Sequence, residues 1–186
     1  TNLSAIDPLV SLYAEAGQNE KYVETLNKKL LATNDENAQF DIYMTLAKTY
    51  AEKLEDSAAA VENYKNALNI KASDDIYKAL EDIFTKTNAF QDLDDLLIEQ
   101  FNKVDSASEK AAILIKRAQL ASENFGDNFQ AGEYLKQAME HDPSNTDAVN
   151  ALDKLYTDDG RFDDLLELLK SQLDKASSVA DKTAIN

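Results

Sequence analysis

The sequence predicts an all-α protein, an α-solenoid of about five antiparallel helical hairpins. Segment 147–176 matches the segment that begins at Asp75, 72 residues earlier, and a further shift of 71 residues carries it onto the first hairpin. Apolar residues recur at helical spacing along nearly the whole chain. Only four glycines and two prolines are present, which leaves little turn chemistry for the tight hairpins of β-sheets.

The aligned positions keep their apolar character through the three copies of this segment. The aligned triplets are Tyr13, Phe84 and Tyr156; Tyr22, Leu93 and Leu165; Leu26, Leu97 and Leu169; Leu30, Phe101 and Leu173; Gly17, Asn88 and Gly160; and Asn19, Phe90 and Phe162. One hairpin cannot bury both of its apolar faces alone. Each is therefore expected to stack on the next, which gives a continuous core along the array.

The first half of the chain predicts five helices and the start of a sixth. Helices over 5–16 and 19–32 are separated by Gly17, which ends the first run of apolar positions. The segment Thr33-Asn34-Asp35-Glu36 has the form of a capping box and begins the third helix. Asp56 begins the fourth helix, and segments 75–87 and 89–104 give the fifth and sixth.

The second half continues the same pattern with four more helices. Ser106-Ala107-Ser108-Glu109 forms another capping box, at the start of the seventh helix. Phe125-Gly126-Asp127 separates the seventh helix from the eighth. Pro143 prevents the eighth helix from continuing, and Ser144 begins the ninth. The ninth and tenth helices are those of the repeated segment 147–176.

These ten helices fall into five antiparallel pairs with short connections. The pairs cover about residues 3–34, 37–71, 74–105, 108–141 and 145–176. We expect residues 1–186 to form a single repeat domain. The chain does not begin with Met, so it is interpreted as a fragment of a longer or processed polypeptide.

The second and fourth hairpins resemble the tetratricopeptide repeat. The matching residues are Tyr43, Leu46, Ala47, Tyr50, Ala60, Tyr64, Ala67 and Leu68 in the second hairpin, and Leu114, Ala118, Ala131, Leu135 and Ala138, followed by Asp142-Pro143, in the fourth. The resemblance covers nearly the whole chain, in the degenerate form of bacterial arrays. It implies a right-handed superhelix and a non-catalytic protein-interaction scaffold or adaptor that binds a partner peptide or helix in a concave groove.

Hairpins one, three and five depart from that pattern. They carry Tyr22, Leu93 and Leu165 where the family prefers alanine, and Val10, Glu81 and Asp153 where it prefers a small residue. Larger side chains should widen the contact between the paired helices or shift their angle. Hairpins of two kinds are therefore expected to alternate, and the true unit is then a pair of hairpins about 71 residues long.

The resemblance also implies which positions face the groove. They are Met44, Lys48, Lys78, Asp82, Ile115, Gln119, Asn150 and Lys154. In the hypothesis that follows, Lys48, Lys78 and Lys154 attract acidic groups of a partner while Met44 and Ile115 hold an apolar anchor. The alternative interpretation is that all of these are ordinary solvated helix positions.

The sequence shows no parts of an enzyme active site, and no cofactor or metal site is predicted. Two acidic clusters, Asp92-Asp94-Asp95 and Asp158-Asp159-Asp163-Asp164, could suggest a cation site, but Asp92 and Asp163 lie in the first turn of a helix, where a carboxylate complements the helix dipole. His141 is the single histidine and lies at a helix end. No glycine-rich phosphate loop occurs.

Composition disfavours several classes of partner. The net charge of −16 repels nucleic-acid backbones and anionic membranes. Cysteine is absent, which excludes disulfides and thiolate metal sites. No run of about 18 apolar residues predicts membrane insertion, and the lack of a recognisable signal segment slightly favours the cytoplasm. Alternative roles are a structural spacer or an accessory segment of a larger protein, with self-association through exposed terminal hairpins.

Overall fold

A computed structural model describes the backbone of residues 3–184 and the side chains of residues 6–174. Within that backbone the ten predicted helices are all present and no strand occurs, which confirms the all-α fold class. The helices are α1 (Leu3–Glu15), α2 (Asn19–Leu31), α3 (Glu36–Glu52), α4 (Ser57–Ile70), α5 (Asp74–Lys86), α6 (Phe90–Lys103), α7 (Ala107–Glu123), α8 (Asn128–His141), α9 (Thr146–Asp158) and α10 (Phe162–Ala184). None of the described helices is long and apolar enough to cross a membrane.

The chain divides into two compact units, and the boundary falls within α6. Unit 1 is Thr1–Leu96 and unit 2 is Leu97–Asn186. In unit 1, α1 packs on α2, α2 on α3, α3 on α4 and α4 on α5; in unit 2, α7 packs on α8, α8 on α9, and α9 on both α10 and α7. That the whole chain forms a single domain and a right-handed superhelix stays a prediction.

The loops inside the hairpins repeat one backbone device. Gly17, Asn88 and Gly160 have φ of 64°, 55° and 66°, and they occupy one aligned position. In each case the amide of the next residue donates to a carbonyl five residues earlier, as from Arg161 N to Tyr156 O at 2.8 Å. This is the Schellman ending of a helix, in which a left-handed residue lets the chain reverse.

The second and fourth hairpins use a different left-handed position. Gly126 has φ of 67°, and Glu55, 71 residues earlier, has φ of 53°. The sequence did not indicate Glu55, because a glutamate carries no signal for this conformation. Since its Cβ crowds the backbone there, Glu55 carries a conformational cost that Gly126 avoids.

Helix caps agree with the sequence at some positions and correct it at others. Ser106 is confirmed as the cap of α7, because its Oγ accepts from Glu109 N at 3.3 Å. Asp56 caps α4 by accepting from Ala59 N at 3.0 Å. The prediction that Thr33 caps α3 is wrong. Asp35 does so by accepting from Ala38 N at 2.8 Å.

The start of α9 is a second correction. Asn145 is the cap, and its Oδ1 accepts from Ala148 N at 3.1 Å. Ser144 instead donates its hydroxyl and its amide to Asp142 Oδ1, at 2.6 and 3.1 Å. These hydrogen bonds hold the pKa of Asp142 below its usual value. In both corrections several adjacent polar residues could cap, and the path of the chain decides which one reaches the free amides.

Each unit has its own core, built around small residues in one hairpin. In unit 1, Ala47 of α3 and Ala60 of α4 are fully buried. In unit 2, Ala118 of α7 and Ala131 of α8 are 3% and 1% exposed. Alanine at a helix crossing lets the two backbones approach closely, so neighbouring aliphatic and aromatic side chains fill the space around them.

Candidate binding cleft

A cleft of about 320 Å³ lies among α7, α8 and α9 of unit 2. Its lining residues are Ala118, Gln119, Ser122 and Glu123 of α7, Ala131 and Leu135 of α8, and Ala151, Lys154, Leu155 and Asp158 of α9. We call it the α7–α9 cleft. Its size is at the lower end of the range of about 300–1,000 Å³ that small-ligand pockets occupy.

The floor of the α7–α9 cleft is apolar. Ala118, Ala131 and Leu135 belong to one buried cluster together with Leu152 and Leu155. Because Ala118 and Ala131 are small, the crossing of α7 and α8 leaves a depression above them that larger residues would fill. The floor therefore suits an aliphatic or aromatic side chain of a ligand.

The rim of the α7–α9 cleft is polar and carries more negative than positive charge. Gln119, Glu123, Lys154 and Asp158 are all exposed, so two carboxylates accompany one ammonium group. Gln119 adds an uncharged amide that both donates and accepts hydrogen bonds. A ligand here meets hydrogen-bonding groups of both kinds, arranged around an apolar centre.

A hydrogen-bonded chain fixes one end of the α7–α9 cleft. Ser122 Oγ donates to Asn128 Oδ1 at 2.7 Å, and Asn128 Nδ2 donates to Asp159 Oδ1 at 2.6 Å. These bonds tie α7 to the start of α8 and the start of α8 to the end of α9. Ser122, which lines the cleft, is thereby held in place before any ligand binds.

The structure brings two of the predicted groove residues together at this cleft, Gln119 and Lys154. Ile115 and Asn150 lie on the same two helices but are not among the lining residues. Ile115 is half-buried and packs against the core, and Asn150 is exposed on α9.

The other predicted groove residues lie in unit 1. Met44 of α3 is half-buried and packs against the cluster that contains Ala47 and Leu80. Lys48 is exposed on α3, and Lys78 and Asp82 are exposed one turn apart on α5. Their assignment to a groove stays a prediction.

Sequence reasoning missed Ser122, Glu123 and Asp158 at the rim. A signal was present, because Ser122 and Glu123 follow Gln119 by three and four residues and Asp158 follows Lys154 by four. Residues at those spacings share one face of a helix. The acidic character of the rim could have been inferred by extending the predicted face one turn along each helix.

A second cleft of about 270 Å³ lies among α8, α9 and α10. Met139, Leu152, Tyr156 and Leu168 supply its apolar lining, and Lys136, Glu140, Asp164, Glu167 and Ser171 supply its polar lining. Several of these charges already have partners. Lys136 Nζ lies 2.9 Å from Glu133 Oε1, which raises the pKa of Lys136, and Arg161 Nε donates to Asp164 Oδ2 at 2.8 Å.

The side chains around the two clefts do not assemble catalytic chemistry. Neither lining set contains histidine or cysteine, and among residues 6–174 no group of three or more metal-ligating side chains could hold an ion. His141 ends α8, and its ring meets the ring of Phe101 edge-on at 5.5 Å between centroids. Asp92 and Asp163 lie in the first turns of α6 and α10.

Solved structures of other proteins share this arrangement of helices. A crystal structure of MamA matches with a TM-score of 0.52 and 18% identity, over 93% of this chain and 97% of that chain. A second crystal structure of MamA also matches with a TM-score of 0.52, over 96% and 94%. YrrB, "a TPR protein with an unusual peptide-binding site", matches with a TM-score of 0.50 and 17% identity, over 89% of this chain and 81% of that chain. No family model and no curated protein matches the sequence.

Proposed function

From the premise that the chain has the tetratricopeptide-repeat fold, we propose that it is a non-catalytic protein-interaction scaffold that binds a partner peptide in the α7–α9 cleft. The observation that carries this proposal is the meeting of Gln119 and Lys154, predicted from the sequence to face a groove, at one cleft with an apolar floor. The peptide-binding site named for YrrB supports it as an example of what this fold can carry.

The proposed mechanism is stoichiometric binding of an extended segment or a helix. An apolar side chain of the partner occupies the floor over Leu135 and Leu155, where burial removes its surface from water. Gln119 binds the partner's main chain, and Lys154 binds a carboxylate or carbonyl oxygen. Glu123 and Asp158 disfavour a uniformly acidic partner, because like charges would be brought together at the rim.

Residues of unit 1 extend the proposed interaction surface. Lys48 and Lys78 are exposed cations that would attract acidic groups of the same partner or of a second one. Met44, Ile115 and Asn150 complete the predicted groove positions. The apolar surface that remains exposed on half-buried Met44 and Ile115 would hold an apolar anchor.

Selection from a random peptide library on the immobilised chain tests the proposal. Peptides that bind through the α7–α9 cleft should lose binding to Ala151→Trp, which fills the floor, and should weaken about tenfold with Lys154→Glu. Lys170→Glu is the matched control, because Lys170 is exposed on α10 and does not line the cleft. Equal circular dichroism of all variants shows that they are folded.

Two results would contradict cleft binding. Selected peptides that bind Ala151→Trp as tightly as the unaltered chain would move the site elsewhere. Equal losses with Lys154→Glu and Lys170→Glu would show a general effect of charge. A triple variant, Lys48→Glu, Lys78→Glu and Lys154→Glu, then reports whether the lysines of unit 1 contribute beyond Lys154.

A second candidate function is that of a structural spacer or accessory segment in a larger assembly. The exposed apolar residues of α1 and α10 favour it: Leu9 and Leu12 are 42% and 56% exposed, and Leu166 and Leu169 are each 51% exposed. A spacer requires no peptide ligand. Failure of the library selection, together with a native polypeptide longer than this chain on an immunoblot of the source cell, would favour the spacer over the scaffold.

A further inference from the structure

The outer surface of α10 carries leucines that are buried at the aligned positions of other helices. Leu166 and Leu169 are each 51% exposed. Val23 and Leu26, which occupy the same repeat positions in α2, are 6% and 4% exposed. In α6, Leu97 aligns with Leu169 and is 1% exposed. The repeat therefore makes this face of the second helix apolar in each copy, whether or not a neighbour covers it.

The neighbour that covers this face inside unit 1 is the first helix of the next hairpin. Val23 and Leu26 form one buried cluster with Ile42 and Leu46 of α3. Ile42 and Leu46 are one turn apart, so they present a continuous aliphatic ridge to α2.

Unit 2 contains the same kind of joint after α6. Phe101, near the end of α6, packs against the cluster that contains Ala111 and Leu114 of α7. Lys110 Nζ of α7 lies 5.5 Å from the centroid of the Phe101 ring. An odd-numbered hairpin is thus followed, in both units, by a hairpin of the alanine-rich class formed by α3–α4 and α7–α8.

We propose that Leu166 and Leu169 form a docking face for a helical hairpin of the α3–α4 class, supplied by a partner protein. The partner's first helix would place two aliphatic residues, four positions apart, where Ile42 and Leu46 lie on α2. The interface continues a packing that the chain already makes after α2, so its geometry and its apolar chemistry are known from unit 1. This docking face is separate from the α7–α9 cleft, and the proposal holds whether or not that cleft binds a peptide.

The other terminal hairpin argues against a second copy of this chain as the occupant. Leu9 of α1 is 42% exposed, whereas the aligned Leu80 and Leu152 are 0% and 2% exposed. Leu80 is buried with Leu68 of α4, and Leu152 with Leu135 of α8. The exposed face of α1 therefore matches the alanine-rich class as well. Head-to-tail copies would join α10 to α1, two odd-numbered hairpins, a joint that does not occur among the described helices.

Thiol labelling of the full chain tests the docking face. The chain has no cysteine, so Leu169→Cys introduces a unique reactive site. Adding a synthetic peptide of residues 36–71 should slow labelling of this thiol about tenfold or more, because a buried thiol reacts only through opening of the interface. The same peptide with Ile42→Asp and Leu46→Asp should have no effect. Lys170→Cys is the control site, because the aligned Asn27 and Ile98 are exposed even where a neighbour is present.

A second measurement covers the case in which the free peptide does not fold, since hairpins below about 40 residues are marginally stable alone. Residues 175–186 are replaced by a copy of residues 32–71, which reproduces the spacing between α2 and α3 behind α10. We expect the thiol at position 169 to be protected and the unfolding midpoint to rise. Unchanged labelling in both formats would overturn the proposal. Protection that grows with the concentration of the chain alone, with dimers in sedimentation, would assign the face to a second copy and also overturn it.

Discussion

Hairpins α3–α4 and α7–α8 differ from hairpins α1–α2 and α9–α10 in how closely their two helices pack. In the first class the crossing residues are the alanine pairs Ala47 with Ala60 and Ala118 with Ala131, and the contact between the paired helices is extensive. In the second class Tyr22 and Leu165 replace the alanine of the second helix, and the contact is smaller. The prediction that larger side chains widen this contact is confirmed for these hairpins.

This difference shows how one repeat produces two kinds of surface. Where alanines let the helices approach, their neighbours interdigitate and the hairpin presents a complete ridge to both sides. Where larger residues separate the helices, more of the apolar surface must be covered by the next hairpin. The exposed leucines of α10 belong to this second class, and the predictions below test the comparison.

The largest effect is expected from exchanging residues between the two classes. Ala60→Leu should lower the free energy of unfolding by about 3 kcal/mol, because the fully buried crossing of α3 and α4 has no room for the added atoms. The reciprocal change, Leu165→Ala, removes a half-buried side chain and should cost only about 1 kcal/mol. Urea unfolding of both variants measures the difference. Similar losses would mean that the crossing residue does not set the spacing of the helices.

A smaller effect is expected at the left-handed loop position of the alanine-rich class. Glu55→Gly should stabilise the chain by about 1 kcal/mol, because glycine adopts φ of 53° without strain. Gly126→Ala, at the aligned position, should destabilise it by about 1 kcal/mol. The midpoints of thermal unfolding report both changes. A stabilising Gly126→Ala would show that this loop relaxes out of the left-handed region.

Gly132 offers a test within the alanine-rich class. A Cβ built at Gly132 would lie 3.6 Å from Leu155 Cδ2, which is ordinary contact. Gly132→Ala should therefore stabilise α8 by about 0.5–1 kcal/mol, since glycine is a poor helix former. Val61, at the aligned position of α4, is the control, and Val61→Ala should change stability by less than about 1 kcal/mol. Destabilisation by Gly132→Ala would indicate that α8 and α9 are closer in solution.

The smallest effect concerns pH and separates the second hairpin from the fourth. Burial raises the pKa of Tyr64, and the nearby charge of Glu52 raises it further. The folded state therefore favours the neutral phenol. The resulting stability is complete below the ordinary tyrosine pKa of about 10 and is lost as pH rises through the folded value.

Tyr64→Phe should remove this alkaline loss of stability, whereas a variant at Leu135, the aligned residue in the fourth hairpin, should keep it. Unfolding measured between neutral pH and about pH 11, with the tyrosine absorbance change as a second signal, provides the test. If Tyr64→Phe kept the full alkaline loss, another group would be responsible.

The candidate cleft was predictable only in part. Gln119 and Lys154 could be identified because they recur at the groove-facing positions that the family resemblance implies. Whether Ile115 faces ligand or core could not, since an aliphatic residue at a boundary position fits either surroundings. The acidic rim was missed because Glu123 and Asp158 lie one turn beyond the residues that the repeat pattern marks.

The sequence by itself determined the ten helices, their pairing and the alternation of two hairpin classes, because apolar periodicity and crossing residues such as Ala60 and Leu165 are local and repeat along the chain. The tertiary structure alone decided which polar residue caps α3, that Glu55 is left-handed, and that Gln119 and Lys154 share one cleft. It also decided that Leu169 is exposed while Leu26 is buried. The physical reason is that a residue's type sets what its surface prefers, whereas its burial depends on which neighbour is present to cover it.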